Sequence, residues 1–195
     1  MRIRQLFQAA IIVGTVAFSG LALAEDAKAF VEREQTKITM MLGKSAQQGD
    51  LSNAMAAIVD YDTMTRKAFG RHWDGLGATR QAEVSVLLRQ LIENNYKRNL
   101  KKTLDYKTDF GKVVGNGDEA RVKMKAKSLE NNHAPPVTIE YVMRPEAAGW
   151  KIVDLVTEGS SLTANYYSQF DEMLTNKDKG YDYLVQKLRS KVAKG

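Results

Sequence analysis

The chain has 195 residues, 44% of them hydrophobic and 27% charged, with three prolines, fourteen glycines, two histidines, no cysteine and a formal net charge of +6. Those counts exclude low-complexity disorder, a collagen-like repeat and a disulfide scaffold, and without thiols they exclude iron–sulfur clusters, Cys-ligated zinc and thiol nucleophiles. The length fits one domain able to bury a core unaided.

Met1 to Arg4 carries two arginines, Leu6 to Leu21 is free of charge, and Ala22-Leu23-Ala24 places small residues before acidic Glu25-Asp26. This is the pattern of a secretory signal peptide spanning 1–24, with a single domain from 25 to 195. A retained membrane anchor needs about twenty uninterrupted apolar residues, whereas Gln8, Thr15 and Ser19 break this run. No cysteine follows the cut, which excludes a lipoprotein anchor. Without Arg2 and Arg4 the exported chain carries +4, suited to solubility and to transient contact with anionic surfaces.

In chain order, Phe30, Glu34, Ile38, Met41 and Leu42 fall near one face of a helix that ends before Gly49-Asp50. Leu51 to Val59 and Asp62 to Phe69 read as two shorter helices, the second stopped by Gly70. After a Gly75/Gly77 loop, Thr79 is placed to cap a helix of about 25 residues carrying Val84, Leu87, Leu88, Leu91 and Ile92. The period then changes to two. Tyr106 to Val114 is a strand, Gly115-Asn116-Gly117-Asp118 a hairpin, and Glu119 to Leu129 a strict alternation. Its Ala120, Val122, Met124 and Ala126 face one way, and Arg121, Lys123, Lys125 and Lys127 the other. Val137 to Met143 gives a third strand and Trp150 to Val156 a fourth, after a turn at Pro145 to Gly149. Gly159-Ser160-Ser161 opens a helix carrying Leu162, Tyr166, Phe170 and Leu174, and a last helix holds Tyr181, Leu184, Val185, Leu188 and Val192. The expected fold is α+β, a four-stranded antiparallel sheet with helices packed on its apolar face, because the other face carries the lysines.

Catalytic templates fit poorly: there is no Gly-x-Ser-x-Gly elbow, His-Glu-x-x-His or phosphate loop. His72 and His133 have no carboxylate partner at a useful spacing and read as surface residues. The lysine stripe lacks interleaved aromatics for stacking on bases, so nucleic acid is not an expected partner. A cavity between sheet and helices is expected to be lined by Val122, Met124, Ile139, Tyr141 and Met143, facing Leu87, Leu91 and Tyr96, with Trp73 nearby. Asp62, Arg66 and Asp154 are charged among apolar neighbours, which suggests that Arg66 bridges Asp154 or Asp62 and ties helix to sheet. Ser160 and Ser161, at a helix start, either cap that helix or offer backbone N–H groups to an anion.

Tyr61-Asp62-Thr63-Met64-Thr65-Arg66-Lys67-Ala68-Phe69-Gly70-Arg71-His72-Trp73 resembles a signature of the MlaC family, also called the toluene-tolerance auxiliary transport family. A second signature of that family resembles Gly149-Trp150-Lys151-Ile152-Val153-Asp154 with Glu158-Gly159-Ser160-Ser161-Leu162 and Asn165-Tyr166 to Phe170. Phe69 stands where leucine is common, and Tyr167 where arginine is. The resemblance implies a cone of sheet and helices of NTF2-like or cystatin-like appearance. It further implies a monomeric periplasmic carrier that holds a phospholipid by its acyl chains, needs no cofactor, and moves lipid between an outer-membrane lipoprotein complex and an inner-membrane ABC transporter complex, preserving outer-membrane asymmetry. The competing readings are an NTF2-like enzyme, which needs a buried acid or histidine facing inward (Asp154 is the candidate), and an adaptor that binds no ligand.

Overall fold

The computed structural model describes residues 20–43, 48–103, 105–116, 118–131, 133–147 and 149–194. The signal-peptide reading of Met1 to Ala24 falls mostly outside them. Helix α1 (Gly20–Gly43) is followed by α2 (Gln48–Ile58), α3 (Tyr61–Phe69), two short 3₁₀ turns, and α4 (Ala78–Thr103). Strands β1 (Tyr106–Asn116), β2 (Glu119–Ser128), β3 (Val137–Glu146) and β4 (Gly149–Thr157) come next, then β5 (Ser160–Ser161), α5 (Leu162–Thr175) and α6 (Gly180–Ala193). The sheet is antiparallel in the order β1-β2-β3-β4-β5. Its fifth strand is a two-residue addition to the expected four, formed where Ser160 and Ser161 fold back on Thr157 and Val156. Pro145 is in β3 opposite Trp150, so the turn is tighter than expected. Thr79 lies inside α4, whose first turn is closed by the Gln81 amide on the Gly77 carbonyl.

The alternation of β2 appears as burial: Ala120, Val122, Met124 and Ala126 are buried while Lys123, Lys125 and Lys127 are exposed. Glu140 lies opposite Lys123 and receives both Lys123 and Arg121, at 3.4 and 3.8 Å. Two bulges keep the neighbouring strands in phase with this inner face. One lies between Phe110 and Val113 of β1, and the other inserts Val153 into β4 between Ile152 and Asp154. The extra residue shifts the alternation by one, so Trp150 and Ile152 before it and Leu155 and Thr157 after it share the inner face despite their uneven spacing.

The exposed edge of β4 is covered by the junction of α2 and α3, where Val59 bridges Ile152 and the Asp60 amide donates to the Ile152 carbonyl at 2.9 Å. This pairing removes an edge otherwise open to another chain. Asp60 also caps α3 through the Thr63 amide, and its other oxygen accepts from Arg144 of β3 at 2.8 Å. Lys151 reaches the last carbonyls of α2, Ala56 at 3.1 Å and Ala57 at 2.6 Å. Val142, two residues from Arg144 on the outer face, is buried as well, so that face is covered in part.

The expected bridge from Arg66 is not formed. Buried Tyr61, Met64, Thr65 and Ala68 make the inner stripe of α3, and Asp62 and Arg66, four apart, fall on its exposed side. The Arg66 guanidinium instead lies 5.3 Å from the centre of the Trp73 ring. Sequence neighbours that are apolar point elsewhere on a helix, which is why they misled. The tie between helices and sheet is Arg144 on Asp60. Chemical denaturation should therefore show Arg144→Ala losing about 1.5 to 3 kcal/mol, and Arg66→Ala no more than about 1 kcal/mol.

Candidate functional site

The residues of the two signature segments meet in space. Phe69 of α3 packs on Phe170 of α5 with ring centroids 4.8 Å apart, and the Trp73 ring lies 6.1 Å from that of Phe69. Gly70 ends α3 at φ +48°, and a Cβ there would come within 2.5 Å of the Tyr167 ring, so both backbone and packing require glycine. His72, read as unpartnered, has Nε2 2.7 Å from Asp171 Oδ1, which also receives Arg71. Those two donors, His72 first, hold the Asp171 carboxyl below its ordinary value. The partner lies 99 residues away, beyond the reach of sequence spacing.

Asp154 performs a second fastening. One carboxylate oxygen accepts from the amides of Leu155 (2.8 Å) and Thr163 (3.0 Å), the other from the Ser161 hydroxyl at 2.5 Å. Ser161 in turn accepts from the Ala164 amide, as the N-cap of α5. Of the two readings of Ser161, capping is the one the geometry shows. With three donors satisfied, Asp154 is a corner brace between β4 and α5, and it does not line the cavity described next.

That cavity, about 250 Å³, lies between the inner face of β2 to β4 and helices α1, α4 and α5. Met124, Ile139, Tyr141 and Leu155 form its sheet wall, and Ile92, Asn95 and Tyr96 of α4 its roof. Leu162 and the exposed Thr157, Ser160 and Asn165 surround the mouth. Ser160 accepts from Asn165 at 2.9 Å, fixing the rim. Gln35 of α1 stands opposite the mouth, accepting from the Tyr141 hydroxyl at 3.1 Å.

Of the predicted lining residues, Met124, Ile139, Tyr141 and Tyr96 are together here, with Ser160 at the rim. Val122, Met143, Leu87, Leu91 and Trp73 are elsewhere. Val122 and Met143 are fully buried further along the sheet, where core side chains fill the space. Leu87, Leu91 and Asn94 make one stripe of α4, and Asn94 donates to the Val192 carbonyl of α6, so this stripe turns to α6 rather than to the sheet. Trp73 belongs to the junction of α3 and α5. Ile92, Asn95 and Tyr96 carry the i, i+3, i+4 spacing that signals a shared face, but Asn95 breaks the apolar pattern that a sequence reading follows. Gln35 gave no signal at all.

Among the described residues no charged side chain lines the cavity. Burial pushes the Tyr96 hydroxyl up to about 12 and raises that of Tyr141 well above its ordinary value, so both remain neutral donors at any physiological pH. Such a lining shelters hydrocarbon and rejects charge, because an unpaired ion there forfeits its hydration. It offers no acid or base to a reacting atom. Among the described residues no cluster of carboxylates and histidines could hold a metal, and no helix is long and apolar enough to cross a membrane.

The family model described as MlaC protein matches residues 23–190. Among solved structures, a phospholipid-binding protein from Ralstonia solanacearum, determined in complex with a phospholipid, is similar with a TM-score of 0.63. The two share 19% identity over 90% of this chain and 95% of that one, a likeness of fold. No curated protein matches. The family match runs through both signature segments and every element from α2 to α5 and into α6, and on it the chain belongs to the MlaC family.

Proposed function

We propose that this protein is an exported, periplasmic phospholipid carrier, which receives lipid at one membrane complex and delivers it to another. The outer-membrane lipoprotein complex and the inner-membrane ABC transporter complex are the partners this reading names, and maintenance of outer-membrane lipid asymmetry is its outcome. One observation carries it: a cavity free of charge, walled by the sheet and open beside α5, in a chain of the MlaC family. The phospholipid held by the Ralstonia solanacearum protein supports the same ligand class.

The energetics favour chains over headgroup. Each methylene removed from water contributes about 0.8 kcal/mol, so two chains of about 30 carbons in all call for roughly 20 to 25 kcal/mol of shelter. A hydrogen bond to the phosphate adds about 1.5 to 3 kcal/mol. A cavity of about 250 Å³ falls just below the usual range of ligand sites, which run from about 300 Å³ upward. It takes part of the chains as it stands, and deeper burial requires the helices to lift from β3 and β4. An enzymatic reading lacks a reactive group, since Asp154 is committed to bracing α5. An adaptor without a ligand leaves the open cavity without a purpose.

Organic-solvent extraction of the purified protein followed by mass spectrometry should recover phospholipid, and a protein free of lipid after gentle purification from an exporting host contradicts the carrier reading. Met124→Trp, which fills the sheet wall, should reduce the recovered lipid several-fold while the far-ultraviolet spectrum is unchanged. Ser161→Ala should lower stability by about 1 kcal/mol through the lost cap and leave lipid retention nearly as before. Stripping of lipid from a stable Ser161→Ala protein would show that the headgroup, not the chains, dominates.

A further inference from the structure

Gln35, Tyr96 and Tyr141 line the cavity on one side and, on the other, a slot of about 10 Å³ walled by Phe30, Val31, Glu34, Ile58 and Ile152. Between the mouth and the slot these three side chains are what the two spaces share. Gln35 and Tyr141 are buried, 9% and 4% exposed, and are joined by the 3.1 Å hydrogen bond. Ile139 pairs with Thr157 at the mouth, Tyr141 with Leu155 one step inward, and Met143 with Ile152 beside the slot. At about 3.3 Å per residue, the path from the mouth to the Tyr141 row is about 7 Å, and to the Met143 row about 13 Å. One leaflet of a bilayer's hydrocarbon core, about half of 30 Å, sets the length of an extended acyl chain at about 15 Å. A chain lying along the strands therefore meets the three side chains when about half of it is covered.

Resting on the carrier reading, we infer that Gln35, Tyr96 and Tyr141 are an end stop that sets how much acyl chain the cavity covers, and so which chain lengths the protein retains. The stop is the bulk of the three side chains, which fill the space a chain would need in order to pass; the hydrogen bond from Tyr141 to Gln35 only sets how two of them sit against each other. Beyond the stop the slot, with room for about one water, lies between α1 and the sheet, so removing bulk from the stop joins it to the cavity and makes room for more chain.

The test uses the full exported protein and two synthetic lipids with one headgroup, dilauroyl- and dioleoyl-phosphatidylglycerol, loaded in competition and quantified by mass spectrometry. Gln35→Ala and Tyr96→Ala should each raise the retained ratio of long to short chains at least tenfold over the wild type, the effect of about two more methylenes under cover (about 1.4 kcal/mol). Gln35→Leu removes the same hydrogen bond but keeps the bulk, and should leave the ratio within a few-fold of the wild type. Equal shifts in Gln35→Leu and Gln35→Ala would make the pair a structural tether and overturn the end stop. So would unchanged ratios in both alanine variants. Where Gln35→Ala fails to fold, Tyr96→Ala decides alone. A wild type that retains neither lipid overturns the carrier reading, and the end stop with it.

Discussion

The inner face of the sheet has to be kept dry without being filled, and the arrangement of the remaining elements follows from that constraint. A half-buried antiparallel sheet ordinarily presses its apolar face onto helices until the space closes. Here it closes at the end of Val122 and Met143, and stays open at the end of Ile139 and Thr157. Holding a gap open requires a frame fastened largely around it, with the Tyr141–Gln35 hydrogen bond at its inner end.

The other fastenings are polar and aromatic, and they stand around the cavity rather than in it. Asp154 braces the start of α5 against β4, and Arg144 reaches Asp60 at the start of α3. The rings of Phe69 and Phe170 lock α3 to α5, while the Glu83 carboxylate receives Tyr181 and Arg189 at 2.6 Å each and holds α6 to α4. The two signature segments thus supply part of the frame, through Asp154, Ser161, Phe69 and Phe170, and the cavity wall comes mostly from less distinctive residues such as Ile92, Ile139 and Leu155. A family signature of this kind reports how the container is held together more than what it contains.

Much of this was legible in the sequence where one residue's neighbours along the chain are also its constraints. The alternation from Ala120 to Lys127 gave the inner and outer faces, and the stripes of α5 and α6 gave their buried sides. Legibility ended where a contact joins distant segments. Arg144 and Asp60, or His72 and Asp171, carry no mark of each other, and the bulges at Val153 and after Phe110 exist only relative to the partner strand. The long helix α4 shows a subtler limit: Leu91 and Ile92 are adjacent and both buried, yet one faces α6 and the other the cavity. Periodicity shows that a face is apolar and leaves open which of two neighbours it meets.

The central claim is that hydrocarbon, and not a headgroup, occupies the space against β2 and β3. Methyl NMR of the protein loaded with a phospholipid bearing a nitroxide tests it directly, by comparing a label near the chain end with one on the headgroup. With the chain label, the Met124 and Ile139 methyl signals should broaden strongly; with the headgroup label, they should remain sharp while signals near Ser160 and Asn165 weaken. Broadening of Met124 and Ile139 by the headgroup label alone, or of neither methyl by either label, would contradict the account.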